Sequence, residues 1–189
     1  MDGLIDCSKG PTVHPTLYTV AYPSCAPQDM LAIDTWRAAN DPTGHALVRP
    51  HFTLVFASNA VDEATYLAHV AAVAARTAPI TFHCRYAMLG ADAHSPRAHA
   101  YLVPDEGYAA LSLLHDALYT GALADALRLD LPYTPHITVG TFESAPMARA
   151  WCAERNQAGV SVPGQVAALW VGQVVDGRFE HRGQFDLMG

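Results

Sequence analysis

TPHITVGTF, residues 134–142, sets a histidine directly behind a proline and a threonine two positions further on. Side chains alternate along a strand, so His136, Thr138 and Gly140 are expected on one face, with Ile137 and Val139 on the other. Burial accounts for the apolar pair and leaves the polar face turned towards something else. The arrangement recurs in RPHFTLVF, residues 49–56, where His51 and Thr53 share a face opposite Phe52, Leu54 and Phe56. The two histidines lie 85 positions apart, close to half the chain. Each motif is followed by a helical pattern and then a pair of strand patterns, which reads as a weak internal repeat.

Outward from these stretches, residues 17–23 read as a strand with Tyr18, Val20 and Tyr22 on one face. Pro27 opens a helix over 27–40 that Pro42 ends. A helix over 61–77 has acids in its first turn and Pro79 beyond its end. Strands over 80–89 and 99–104 flank the loop GADAHSPRA, and Asp105 is placed to cap a helix over 106–120. Ser144 caps a further helix running to about Gly159. Strands over 166–175 and 178–187 flank Asp176-Gly177, a two-residue hairpin signal. Hairpins mixed with short helices indicate an α+β fold with antiparallel sheets. The repeat suggests two lobes, each presenting one HxT strand, within a single domain over residues 1–189.

With 189 residues, 51% apolar and 15% charged, the chain can bury a sizeable core. No apolar run approaches the ~20 residues of a membrane span. The opening MDGLIDCSKG lacks the basic start and apolar block of a signal peptide, so a cytoplasmic location is expected. Cys7, Cys25, Cys84 and Cys152 show no CxxC spacing, which disfavours a disulfide framework or a zinc knuckle and leaves them as buried or incidental thiols. The net charge is −7, with one lysine (Lys9) and ten scattered arginines. Long nucleic acid is gripped through many Lys and Arg contacts to phosphate, so no long nucleic-acid surface is expected. A small phosphorylated ligand or one RNA end needs only a local cation, such as Arg49, Arg97 or Arg178. No membrane partner is expected, and a monomer is.

Two imidazoles and two hydroxyls meeting across a groove suit one chemistry well. An imidazole with an ordinary pKa of about 6.5 can give or take a proton near neutrality. One neutral histidine draws a proton from an attacking water or hydroxyl, and the other, protonated, supplies one to the departing oxygen. The threonine hydroxyls donate to the non-bridging oxygens of a phosphate between them. No cofactor or metal is needed, and neither histidine has an i+2 or i+4 ligand partner of the metal-binding kind. The proline before each histidine fixes its own φ, presses the preceding residue towards extended geometry and gives the imidazole a rigid approach.

PHFTLVF and PHITVGTF resemble the paired H-x-[ST]-hydrophobic motifs of the 2H phosphoesterase superfamily, which includes 2′,5′-RNA ligase-like proteins and cyclic nucleotide phosphodiesterases. The resemblance extends over most of the chain, including LLHDALYTG ahead of LPYTPHITVG. It implies a bilobal α+β fold of two pseudo-symmetric antiparallel lobes, with helices outside and a central groove. It also implies metal-independent making or breaking of 2′,5′ bonds or 2′,3′-cyclic phosphates. By the resemblance, His51 and His136 are the acid–base pair and Thr53 and Thr138 the phosphate ligands. The motifs do not distinguish base from acid.

Around this set, Tyr133 is a candidate for binding phosphate or ribose and equally a packing residue. Tyr18 or Tyr22 is a candidate for stacking on a nucleobase, against burial in a first strand. Arg49 either neutralises phosphate or is a solvated strand edge. His83, His99 and His115 are assigned structural roles, and His45, His94 and His181 are placed facing solvent. The leading expectation is hydrolysis of a 2′,3′-cyclic phosphate, a 2′,5′-linked nucleotide or an RNA end. The alternatives are a non-catalytic nucleotide or RNA-end binder, an RNA 2′,5′-ligase, and a scaffold in which the HxT strands are structural.

Overall fold

The computed structural model describes residues 14–91 and 97–189; Cys7, Lys9 and His94 lie outside the described residues. Among the described residues the elements follow in this order: β1 (Leu17–Ala21), β2 (Ser24–Cys25), α1 (Pro27–Asn40), α2 (Pro42–Leu47), β3 (Phe52–Ser58), α3 (Glu63–Ala74), β4 (Ile80–Ala91), β5 (Ala98–Glu106), α4 (Tyr108–Leu118), a 3-10 turn (Gly121–Ala126), β6 (Ile137–Phe142), α5 (Ala145–Ala158), β7 (Val162–Val166), β8 (Ala168–Val175) and β9 (Arg178–Asp186). The strands form one curled antiparallel sheet in the order β2-β7-β4-β5-β6-β3-β1-β8-β9, with helices flanking it. The α+β architecture with antiparallel strands and outer helices is borne out. Its two halves share a single sheet. They join in the middle, where β3 meets β6 at one paired position, Phe52 with Ile137.

The core explains this arrangement. Phe52, Leu54, Ile137 and Val139 have no exposed surface, and the Phe52 ring meets Phe82 of β4 edge to face at 5.1 Å. Leu111, Leu114 and Leu118 of α4 are buried as a helical stripe. Pro27 opens α1 as read from the sequence. Asp176 and Gly177 both take positive φ, 48° and 74°, and turn the β8–β9 hairpin in two residues.

Three local expectations are corrected. Pro42 does not simply end α1; it begins α2, whose cap is Asp41, accepting from the Gly44 N–H at 3.2 Å. Asp105 is not the cap of α4, because β5 runs on through Glu106 and Gly107 takes the cap position. Asp105 instead accepts from Arg85 at 2.7 Å. Ser144 sits at the cap of α5 but makes no side-chain capping bond.

Candidate active site

The β3–β6 junction places the motif residues. Phe52 and Ile137 are paired and both point into the core. Their neighbours on either side therefore point to the other face. Carrying the antiparallel register one step each way sets His51 opposite Thr138 and Thr53 opposite His136. All four are half-buried, in contrast to the sealed residues between them.

Each motif then breaks its own alternation. On β3, Val20 and Thr19 of β1 pair with Thr53 and Val55, so Leu54 is an extra residue. On β6, Tyr101 and Ala100 of β5 pair with Thr138 and Gly140, so Val139 is an extra residue. These are matching β-bulges, each one residue past a motif threonine. A bulge changes which face the following residues occupy. Gly140 consequently leaves the face of His136 and Thr138, correcting the expectation from simple alternation, and packs towards Asn40 of α1. Phe56 likewise leaves the face of Phe52 and comes to line a pocket beside His136.

The two imidazoles are held alike. His51 Nδ1 lies 2.8 Å from the Arg49 carbonyl oxygen, and His136 Nδ1 lies 2.6 Å from the Thr134 carbonyl oxygen. A carbonyl can only accept, so each Nδ1 carries the proton and each Nε2 is left with a lone pair. In both cases the bond reaches back across a proline, Pro50 or Pro135. Proline contributes no N–H of its own there and favours an extended preceding residue, so the accepting carbonyl is fixed in place. Burial pushes both imidazoles down to about 4, against the pull of these carbonyl bonds; Arg37 and His136 push His51 further the same way, and His99 does so for His136. Arg37 is buried within α1 and donates from one Nη to the carbonyls of Gly44 and Val48, each at 2.8 Å. It anchors the segment that leads into His51.

The surroundings differ on the two sides. Beside His136 is a pocket of about 500 Å³ lined by Phe56, Met88, His99, Tyr101, Leu131 and Pro132, among others. Tyr101 stacks on His136 with ring centres 3.7 Å apart, and His99 stacks beyond it at 5.7 Å while bonding Thr141 Oγ1 through Nδ1 at 3.1 Å. On the His51 side, the Arg49 guanidinium lies over the Tyr22 ring at 4.0 Å and near Trp170 at 5.9 Å. Tyr22 OH shares a hydrogen bond of 2.9 Å with His181 Nε2. Tyr18 sits further along β1, half-buried and edge-on to Phe179 at 6.2 Å. The aromatic next to the motif is thus Tyr22, which the β1–β3 register carries alongside His51. Tyr133 stands behind the site: its hydroxyl donates to the Thr53 carbonyl at 3.1 Å and its ring stacks on His115 at 3.7 Å.

Sequence reasoning passed over Tyr101 and assigned His99 a purely structural role, although both face the pocket. A signal existed. HAYLV alternates polar and apolar residues, and a strand next to an HxT strand shares its open face. The Trp170–His181 pair had no comparable signal, because its neighbour Tyr22 is distant in sequence and joins it only through the β1–β8 register.

The model of the 2′-5′ RNA ligase superfamily matches residues 23–178. The chain belongs to this superfamily. As a 2H phosphoesterase fold it is similar to Escherichia coli LigT complexed with 3′-AMP, at 17% identity and a TM-score of 0.54, covering 93% of this chain and 99% of LigT. It is also similar to TT0787 of Thermus thermophilus, at 17% identity and a TM-score of 0.59, covering 92% and 98%. Usb1 of Kluyveromyces marxianus aligns at 9% identity and a TM-score of 0.53, covering 94% and 99%. These likenesses show the fold. No curated protein sequence matched the chain. Among the described residues, no helix of this superfamily member is long and apolar enough to cross a membrane, and no group of three or more His, Cys, Asp or Glu is arranged to hold a metal ion.

Proposed function

We propose that the protein is a phosphodiesterase that hydrolyses 2′,3′-cyclic phosphates or 2′,5′-linked nucleotides at RNA ends, with His51 and His136 as a metal-independent acid–base pair. The observation that carries this reading is the matched tethering of the two imidazoles, Nδ1 to a carbonyl across a proline, which leaves a lone pair on the Nε2 of each motif histidine. One neutral Nε2 takes a proton from water as the water oxygen bonds to phosphorus. The other, protonated, gives its proton to the ribose oxygen as the P–O bond breaks. Thr53 and Thr138 donate to the non-bridging oxygens and stabilise the charge that builds there. Tyr133 holds the Thr53 backbone, and Arg49 gives the substrate an adjacent guanidinium. The pocket beside Tyr101 suits a nucleoside, being aromatic and apolar with few polar groups.

The test is release of a phosphomonoester from nucleoside 2′,3′-cyclic phosphates and 2′,5′-linked dinucleotides in excess EDTA. His51→Ala and His136→Ala are each expected to lower kcat/KM by about a hundredfold to ten-thousandfold. Thr53→Val and Thr138→Val are expected to cost about tenfold or more. Unchanged rates in folded histidine variants, or loss of activity in EDTA, would overturn the assignment.

A further inference from the structure

Arg49 is held by aromatic rings rather than by a carboxylate. Arg85, Arg97, Arg128, Arg155 and Arg182 each lie against a carboxylate. Arg49 has no carboxylate partner among the described residues. Its guanidinium is spread over Tyr22 in the corner that Tyr22 makes with Trp170. A guanidinium stacked on a ring uses its face and leaves its N–H edges available, and those edges match a phosphate two bonds at a time. The edges border a depression of about 290 Å³ whose lining includes Tyr22, His45, Val48, Arg49, Phe179 and His181. Two imidazoles therefore flank the cation. His45 is paired through Nε2 with Asp34 at 2.9 Å, and His181 is oriented by Tyr22. Among the described residues, Asp34 is the carboxylate close by, lining the neighbouring pocket that also includes Arg49, and its oxygen is engaged by His45.

The distance to the reaction centre is set by the chain. Arg49 and His51 are two residues apart, at most about 7 Å of backbone. That is about the reach of one nucleotide. The opposite side of the centre, around Tyr101, Met88, Leu131 and Pro132, includes no arginine or lysine among its described residues. The groove is thus polarised, uncharged at one end and cationic at the other.

Building on the reading of the HxT pair as a phosphodiester site, we infer that the Arg49–His45–His181 depression is a second anion subsite that receives another phosphate of the same substrate, one nucleotide from the bond cleaved. The preferred substrate class is then a nucleotide carrying a further phosphate, such as a 5′-phosphorylated 2′,3′-cyclic nucleotide, ahead of its 5′-hydroxyl counterpart.

The experiment compares adenosine 2′,3′-cyclic phosphate with and without a 5′-phosphate. Affinity is measured by calorimetry on H51A/H136A, which does not depend on turnover, and kcat/KM is measured on the wild type. The 5′-phosphate is expected to tighten binding by about tenfold or more, the effect of one charge-assisted contact. Adding H45Q and H181Q, or separately R49M, is expected to bring the two ligands to within about twofold. R49M keeps an apolar stem over Tyr22, so it serves should the histidine changes disturb folding. Equal affinities in H51A/H136A overturn the subsite whatever the turnover. A tenfold preference in binding without any hydrolysis by the wild type overturns the proposed reaction and leaves the subsite standing. A preference that survives both sets of substitutions assigns the phosphate elsewhere and overturns the subsite.

Discussion

A histidine is useful in acid–base catalysis only if its free nitrogen points at the reacting atoms in the right protonation state. Here the tautomer is set by two backbone carbonyls, and the proton affinity by burial. Both imidazoles are pushed down to about 4, so in the free protein at neutral pH both are neutral. The proposed mechanism needs one neutral and one protonated ring. A lowered pKa means the catalytic proton is lost earlier as pH rises. kcat/KM, which reports the free enzyme, is therefore expected to rise about tenfold for each unit that pH falls from 7 towards 5. Binding a phosphodiester anion favours the imidazolium, so kcat is expected to hold up to higher pH than kcat/KM. Rate profiles between pH 4 and 8 separate the two. A kcat/KM that is level between 5 and 7 would show the rings to be better solvated than the structure has them. The histidines and their prolines are legible directly in the sequence, because the repeat is local. Their proton affinities are not, because burial depends on chain segments far away in sequence.

At the scale of elements, regular patterns were readable and interruptions were not. α1 runs over residues 27–40, the range that Pro27 and Pro42 predict. The β8–β9 hairpin turns at Asp176-Gly177 as its residues require. β7 went unread because VPGQV contains a proline and a glycine, yet next to the two-residue strand β2 such a strand loses little pairing. The paired bulges were also illegible, since a bulge is defined by the partner strand's register. One close approach makes the site testable at this scale. Tyr101, stacked on His136, lies across Gly90 of β4, where an added Cβ would collide with the ring. Gly90→Ala is therefore expected to push Tyr101 off His136. A displacement of this size costs about tenfold to a hundredfold in kcat/KM, and overpacking costs about 1–3 kcal/mol of stability. Removing the ring as well, in G90A/Y101L, is expected to recover the thermal midpoint but not the rate. Full activity in G90A would show that the Tyr101 stack has no part in holding His136.

Over the whole molecule, charge limits what can be held. The net charge is −7, and Arg85, Arg97, Arg128 and Arg182 are tied to neighbouring carboxylates. Beyond the groove, the described residues offer no row of free cations for a phosphate backbone to follow. This was legible from composition, whereas the setting of Arg49 was not, because its ring partners come from β8 and the end of β1. On the proposed reading the groove holds the end of a nucleic acid, and the rest of the surface adds nothing to that grip. Affinity of H51A/H136A for a long single-stranded RNA is expected to match that for a dinucleotide bearing the same end, within about twofold. Each phosphate neutralised on a single strand contributes about −0.7 to the slope of log affinity against log salt. One phosphate neutralised, at Arg49, gives a slope of about −0.7, and lengthening the RNA is expected to leave it there. A slope that steepens with length would mean that a basic path exists outside the groove, and the reading of this surface as an end-binding one would have to be abandoned.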